Sequence, residues 1–161
     1  MMVSTVSGAQ ARCSSPADGL AFDVAALKSE LSVLAVQCGD DTDYNQFVER
    51  TRSELVREDG VVNAWFKRTY GRTAQARYDS YITLQANEQS LAGQHEGSEF
   101  CPRWKSVFTE AMAVPVAQLP EYAAAKNLMP VDLACTSVQA TTTTVSTRGA
   151  RTGKAPSKKK S

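Results

Sequence analysis

The one histidine of the chain, His95, stands in the stretch GQHEGSEFC beside Glu96 and Glu99, with Cys101 six residues on. A thiol near an imidazole suggests an activated nucleophile, and the same four side chains suggest a metal cluster. Both readings need Cys101 as a free thiolate, because a sulfur held in a disulfide is neither nucleophile nor ligand. A lone histidine in a polar, glycine-flanked loop reads as surface.

A second stretch, LAVQCGDDTDYNQFVERT over residues 34–51, places Cys38 just ahead of Asp40, Asp41 and Asp43. Counted from Asp41, an EF-hand loop accepts Asp43 and Asn45 as ligands. It then needs glycine where Gln46 stands and a bidentate carboxylate where Arg52 stands. The match fails at those two positions, so no metal is assigned. One helix ending and another beginning fits better. Asp43 followed by Gln46 resembles a capping box, and acids ahead of a first turn suit the helix dipole.

Gly-rich phosphate loops and G-x-S-x-G elbows are absent. Ala86-Asn87-Glu88 sits mid-helix, where it reads as a buried polar link between helices rather than a general base. No catalytic residue and no cofactor is therefore assigned, and the expected class is a non-enzyme.

The third stretch, WFKRTYGRTAQARYDSY over residues 65–81, interleaves Lys67, Arg68, Arg72 and Arg77 with Trp65, Phe66, Tyr70, Tyr78 and Tyr81. Cations with aromatics are what phosphate contact plus base stacking requires. The competing reading turns the aromatics into the core and leaves the cations as a solvated face. The C-terminal RGARTGKAPSKKKS, with Lys158, Lys159 and Lys160, is a second candidate anion-binding segment. It would bind nucleic acid, an anionic membrane surface or an envelope polymer weakly, unspecifically and in a salt-dependent way.

The elements that position these stretches follow from charge and periodicity. The chain has 161 residues, 42% hydrophobic and 22% charged, which suits one globular domain. All 17 acids lie at or before Asp132, while six of the 18 bases follow it. An acidic folded body with a basic tail is the simplest description. No run of 18 apolar residues is present, so no transmembrane segment is expected. Ala9-Gln10-Ala11 has the small-residue pattern of a signal-peptidase site, but the apolar region that should precede it is missing.

Asp23 is the expected N-cap of a first helix ending at Cys38 and Gly39, with Leu27, Leu31, Leu34 and Cys38 on one face. A second helix is expected over residues 43–58, stopping at Asp59-Gly60, and a third over VVNAWFKRTYG with Gly71 as its stop. A fourth covers residues 73–91. Ser98 is the expected cap of a fifth, with Pro102 in its first turn and Pro115 at its end. LPEYAAAKN, opened by Pro120, makes a short sixth. No strand-like alternation appears. The fold class is all-α: a compact bundle of about five to six short antiparallel helices. Residues 1–19 read as disordered or export-related, 20–134 as the helical domain and 135–161 as a disordered basic tail.

Four cysteines, Cys13, Cys38, Cys101 and Cys135, permit three pairings, and none forms a CxxC pair. Wide, even spacing fits long-range disulfides in an oxidising compartment; the alternative is buried free thiols in the cytosol.

The runs LKSELSVLAVQC, DYNQFVERTRSELV, WFKRTYG, LQANEQS and Phe100-Cys101 resemble a group of small exported helical proteins of alphaproteobacteria, over roughly residues 24–112. The resemblance implies a helical fold, a periplasmic or secreted location and a disulfide between Cys38 and Cys101, but no reaction. Cys13 and Cys135 flank that region and suggest a second bridge. Two functions are compatible with these readings. The first is an exported, disulfide-stapled binding or structural module whose partner is a protein or envelope polymer. The second is a cytosolic nucleic-acid-associated protein using the basic tail and the 67–77 patch.

Overall fold

The structure, a computed structural model, describes residues 15–129. The described residues are all-helical, without strands. Three long helices dominate: α1 (Pro16–Cys38), α2 (Asp41–Tyr70) and α3 (Ala74–Glu96). Two shorter ones, α4 (Phe100–Ala113) and α5 (Leu119–Lys126), complete the bundle, with single 3₁₀ turns before α3, α4 and α5. Cys13, Cys135, Lys158, Lys159 and Lys160 lie outside the described residues, as do the end of the expected domain and the tail.

The expectation of five to six short helices is corrected at three places. First, α1 starts at Pro16, inside the segment expected to be disordered. Its N-cap is Ser15, whose Oγ accepts from the Asp18 N–H at 3.2 Å. Asp23 is no cap; it is buried well inside the helix. Second, the helices expected over 43–58 and from Val62 are one continuous α2 of 30 residues. Gly60 is exposed and helical, and nothing lies within 4 Å of where its Cβ would be. The helix therefore runs through it at an entropic cost only. Asn63 reinforces the passage by donating to the Asp59 backbone O at 2.9 Å and to its Oδ2 at 3.0 Å. The break comes instead at Gly71, with φ of 54° and ψ of −120°. That conformation is open only to glycine. Third, α3 runs on to Glu96, and a 3₁₀ turn over Gly97–Glu99 takes the place of a Ser98 cap. At the start of α2 the expected Asp43–Gln46 box does not form. Asp40 is the N-cap, and its carboxylate reaches Lys105 at 3.2 Å instead.

The end of the first helix falls where the sequence places it. α1 stops at Cys38 with Gly39 at φ 73°, and the Gly39 N–H returns to the Ala35 carbonyl at 3.0 Å. A left-handed glycine that satisfies an orphan carbonyl is a common helix stop.

α1 is the central element and touches each of the other four helices. Its sequence explains this: Phe22, Leu27, Leu31 and Leu34 are fully buried and Ala21, Ala26 and Ala35 fill the remaining faces. A helix apolar around most of its circumference must be enclosed. Its C-terminal half packs with Phe47 and Leu55 of α2, Phe100, Val107 and Phe108 of α4, and Leu119 of α5. Its first turns form an aromatic cluster with α2 and α3. Phe22 meets Trp65 edge-on at 5.1 Å and Tyr81 at 5.4 Å between ring centroids. Edge-to-face pairs of this kind are favoured by the ring quadrupoles. Trp104 on α4 is only half-buried, and its indole N–H donates to Glu96.

Cys38 and Cys101 are joined by a disulfide, with Cα atoms 5.7 Å apart. It ties the last residue of α1 to the first turn of α4 and closes a loop that contains all of α2 and α3.

Candidate functional site

Ala25, Ser29 and Ser32 fall at i, i+4 and i+7 on α1. They therefore share one face of that helix. None of them is large enough to fill the space beside α2 and α3. The result is a pocket of about 240 Å³ between the three long helices. Val24, Val33 and Leu55 give it apolar walls, and Ile82, 38% exposed, stands at its rim. Lys28 from α1, Tyr44, Glu58 and Asp59 from α2 and Tyr78 from α3 add polar groups to the two serines.

Asp59 fixes the Tyr78 phenol. Tyr78 Oη donates to Asp59 Oδ1, and Asn63 Nδ2 donates to Oδ2 at 3.0 Å, so one carboxylate ties α2 to α3. Burial pushes the Tyr78 phenol well above its ordinary range, and its bond to Asp59 adds to that. Glu58 is 4% exposed; burial raises its pKa, opposed by Arg57, whose Nη2 lies 2.7 Å from Glu58 Oε1. Among the described residues that line the pocket there is no histidine and no cysteine. The arrangement is suited to holding an apolar or amphipathic molecule against a few fixed polar groups, the usual composition of a ligand site.

A second polar region lies where α1 faces α3, and sequence reasoning missed most of it. Asp23 and Glu30 of α1 are each 5% exposed. Burial pushes the Asp23 carboxyl up to about 6. Burial, with Glu96 second, pushes the Glu30 carboxyl up to about 7. From α3, Gln85 is fully buried, and neither of its amide atoms has a partner among the described residues. Gln89 donates to the Ala26 carbonyl at 3.0 Å and to the Leu128 carbonyl at 3.3 Å, leaving its own Oε1 without a donor. The network expected at Asn87 and Glu88 is not there, since both are exposed; their neighbours at 85 and 89 occupy the inner face. The signal is the i, i+4 spacing of Gln85 and Gln89 in line with the buried Ala74 and Tyr81 of the same helix.

At the α2–α3 corner, Lys67, Arg68, Arg72 and Arg77 are all exposed. Their aromatic neighbours turn mostly inward: Trp65, Phe66 and Tyr81 are at most 4% exposed. Tyr70 is partly exposed, but Arg77 already lies over its ring at 5.5 Å. Arg68 pairs with Asp18 at 2.9 Å. The corner is thus a cationic edge without a free stacking platform. His95 is exposed at the end of α3, and Cys101 is in the disulfide, so the two do not form a reactive pair. Asp41 and Asp43 occupy the first turn of α2, where the helix dipole favours them. Among the described residues no group of three or more His, Cys, Asp or Glu side chains is placed to hold a metal ion, and no helix is long and apolar enough to cross a membrane.

Comparison with protein-family models, with curated proteins and with solved structures gives no match to this chain.

Proposed function

We propose that this protein is a non-enzymatic binding module of the cell envelope, exported and stapled by Cys38–Cys101, which takes an apolar or amphipathic ligand between α1, α2 and α3. The observation that carries the reading is the pocket itself: a stripe of small residues on the central helix leaves room that the fold keeps open, with fixed polar groups at one side. The disulfide supports export, because such bonds persist in oxidising compartments and are rare in the cytosol. The likeness of residues 24–112 to exported helical proteins of alphaproteobacteria points the same way.

The alternative, a cytosolic nucleic-acid-associated protein, draws on the exposed cations at the α2–α3 corner. It is the weaker reading because base stacking needs exposed aromatic faces, and these are turned inward or covered.

The test uses the neutral apolar dye N-phenyl-1-naphthylamine and the full chain. Dye fluorescence should rise on binding to the native protein. Ala86→Trp, which places a large side chain at the pocket wall, should abolish the rise while leaving the helical circular dichroism and its thermal transition in place. Equal dye binding by the variant would refute the site. Tight binding of single-stranded DNA that Arg72→Gln weakens would favour the alternative.

A further inference from the structure

A second pocket, of about 330 Å³, lies along the C-terminal half of α3, away from the aromatic corner at that helix's start. Three carboxylates line it: Glu30 from α1, and Glu88 and Glu96 from α3. Acidic residues in a group are common on protein surfaces and do not make a site. One further observation singles this one out. Glu30 is 5% exposed and lines the cavity, yet it has no hydrogen-bond or ion-pair partner among the described residues. A largely buried carboxylate that faces a cavity and has no protein donor leaves a place for a donor that comes from elsewhere.

The rest of the wall defines that donor. Trp104 contributes its indole, and its Nε1–H donates to both oxygens of Glu96 at 3.2 Å, which fixes that carboxylate. Trp104 and Phe100 stand with ring centroids 6.5 Å apart. The half-buried Trp104 offers aromatic surface to a cation. The C-terminal turn of α3 and the residues just past the end of α5 also border the cavity, and helix C-termini carry partial negative charge. The one cation in contact among the described residues is Arg103, 67% exposed, at 3.4 Å from Glu96. It leaves Glu30 and Glu88 uncompensated. The carboxylates are not placed to close on a metal ion. A cation with an aliphatic body suits their spread and the apolar Leu128 beside them.

We infer that this pocket binds an organic ammonium group, with Glu30 as its inner acceptor and Trp104 as its aromatic wall. The inference uses none of the residues of the α1–α2–α3 pocket and stands independently of it. The ammonium group has two sources: a free aliphatic amine, or the lysines of the chain's own C-terminal segment.

The experiment is calorimetric titration of the full chain at pH 8, in phosphate buffer, with 1,5-diaminopentane and with uncharged 1-pentanol. The diamine should bind and the alcohol should not. Glu30→Gln should weaken the diamine at least tenfold. Glu88→Gln, an exposed substitution that leaves packing untouched, should weaken it several-fold. A full chain carrying glutamine at Lys154, Lys158, Lys159 and Lys160 separates the sources. Equal diamine binding by this chain and wild type assigns the site to free amines. Binding that appears, or tightens tenfold, only in the substituted chain assigns it to the protein's own lysines. Absence of diamine binding in both chains, equal binding of the alcohol, or full binding by both glutamate variants overturns the inference.

Discussion

Replacing Glu30 with Gln should stabilise the protein at pH 8 far more than at pH 5. Glu30 is buried and without a partner among the described residues, and its carboxyl titrates at about 7 in the folded protein against 4.5 for an unperturbed glutamate. Below about pH 4.5 folded and unfolded chains both hold the proton, and burial of the group has no electrostatic penalty. As pH rises from 4.5 to 7 the unfolded chain gives up its proton first, so stability falls across that window. Above 7 the penalty levels off. The gap between the two titration points corresponds to about 3 kcal/mol at pH 8 and to less than about 1 kcal/mol at pH 5. Glutamine has nearly the same shape but no charge, so it removes only the pH-dependent part. Any fixed cost of its amide is the same at both pH values and cancels in the comparison. Asp23, whose carboxyl is pushed up to about 6, titrates in both proteins and cancels as well. The assay is urea unfolding of wild type and Glu30→Gln at pH 5 and pH 8 in amine-free buffer. The stability difference between them should grow by about 2–3 kcal/mol from pH 5 to pH 8. A difference that is the same at both pH values would show that Glu30 is solvated or paired, and the burial argument would fail.

Removing the staple by Cys38→Ala with Cys101→Ala frees a loop whose ends are 63 residues apart in sequence. The loss should cost about 4 kcal/mol, read from urea midpoints. The two helical glycines should respond with opposite signs in thermal unfolding. Gly60→Ala, in open space, should gain about 0.5–1 kcal/mol. Gly93→Ala would set a methyl 2.7 Å from Gln37 Oε1 and 2.9 Å from the Phe100 ring. That crowding should cost about 1–3 kcal/mol. Glutamine at Lys158, Lys159 and Lys160 should lower retention on heparin, with the remaining affinity falling steeply between about 50 and 200 mM salt; unchanged retention would remove the tail from consideration as a polyanion binder.

The helical class and the faces of the helices were legible because burial follows periodicity. Leu27, Leu31 and Leu34 on α1 sit where their spacing puts them. Helix boundaries were less so. Asp59-Gly60 has the composition of a stop, yet the apolar stripe of Val62, Trp65 and Phe66 continues that of Phe47 and Leu55 and carries the helix through. Glycine at 60 is tolerated in a helix, whereas at 71 its positive φ is required, and only the backbone distinguishes them. The aromatic-basic stretch divides as its faces suggested: packing drew the aromatics inward and left the cations in water. The buried acids were not foreseen. Asp23 looked like a cap, and Glu30 lies next to Leu31 in sequence with nothing to mark it as interior. It is enclosed because the other four helices together cover most of α1, a property of the whole bundle rather than of any local pattern. Ser29 and Ser32 are equally plain in sequence, and their smallness matters only once α2 and α3 stand across from them.

Export and the staple are tested together by one measurement: acid-quenched thiol alkylation of the protein in its native cells, followed by fractionation and peptide mass analysis. The protein should be found in the envelope or extracellular fraction, with the Cys38 and Cys101 peptides unlabelled until reductant is added. Recovery in the cytosolic fraction with both thiols alkylated would contradict an exported, stapled binding module.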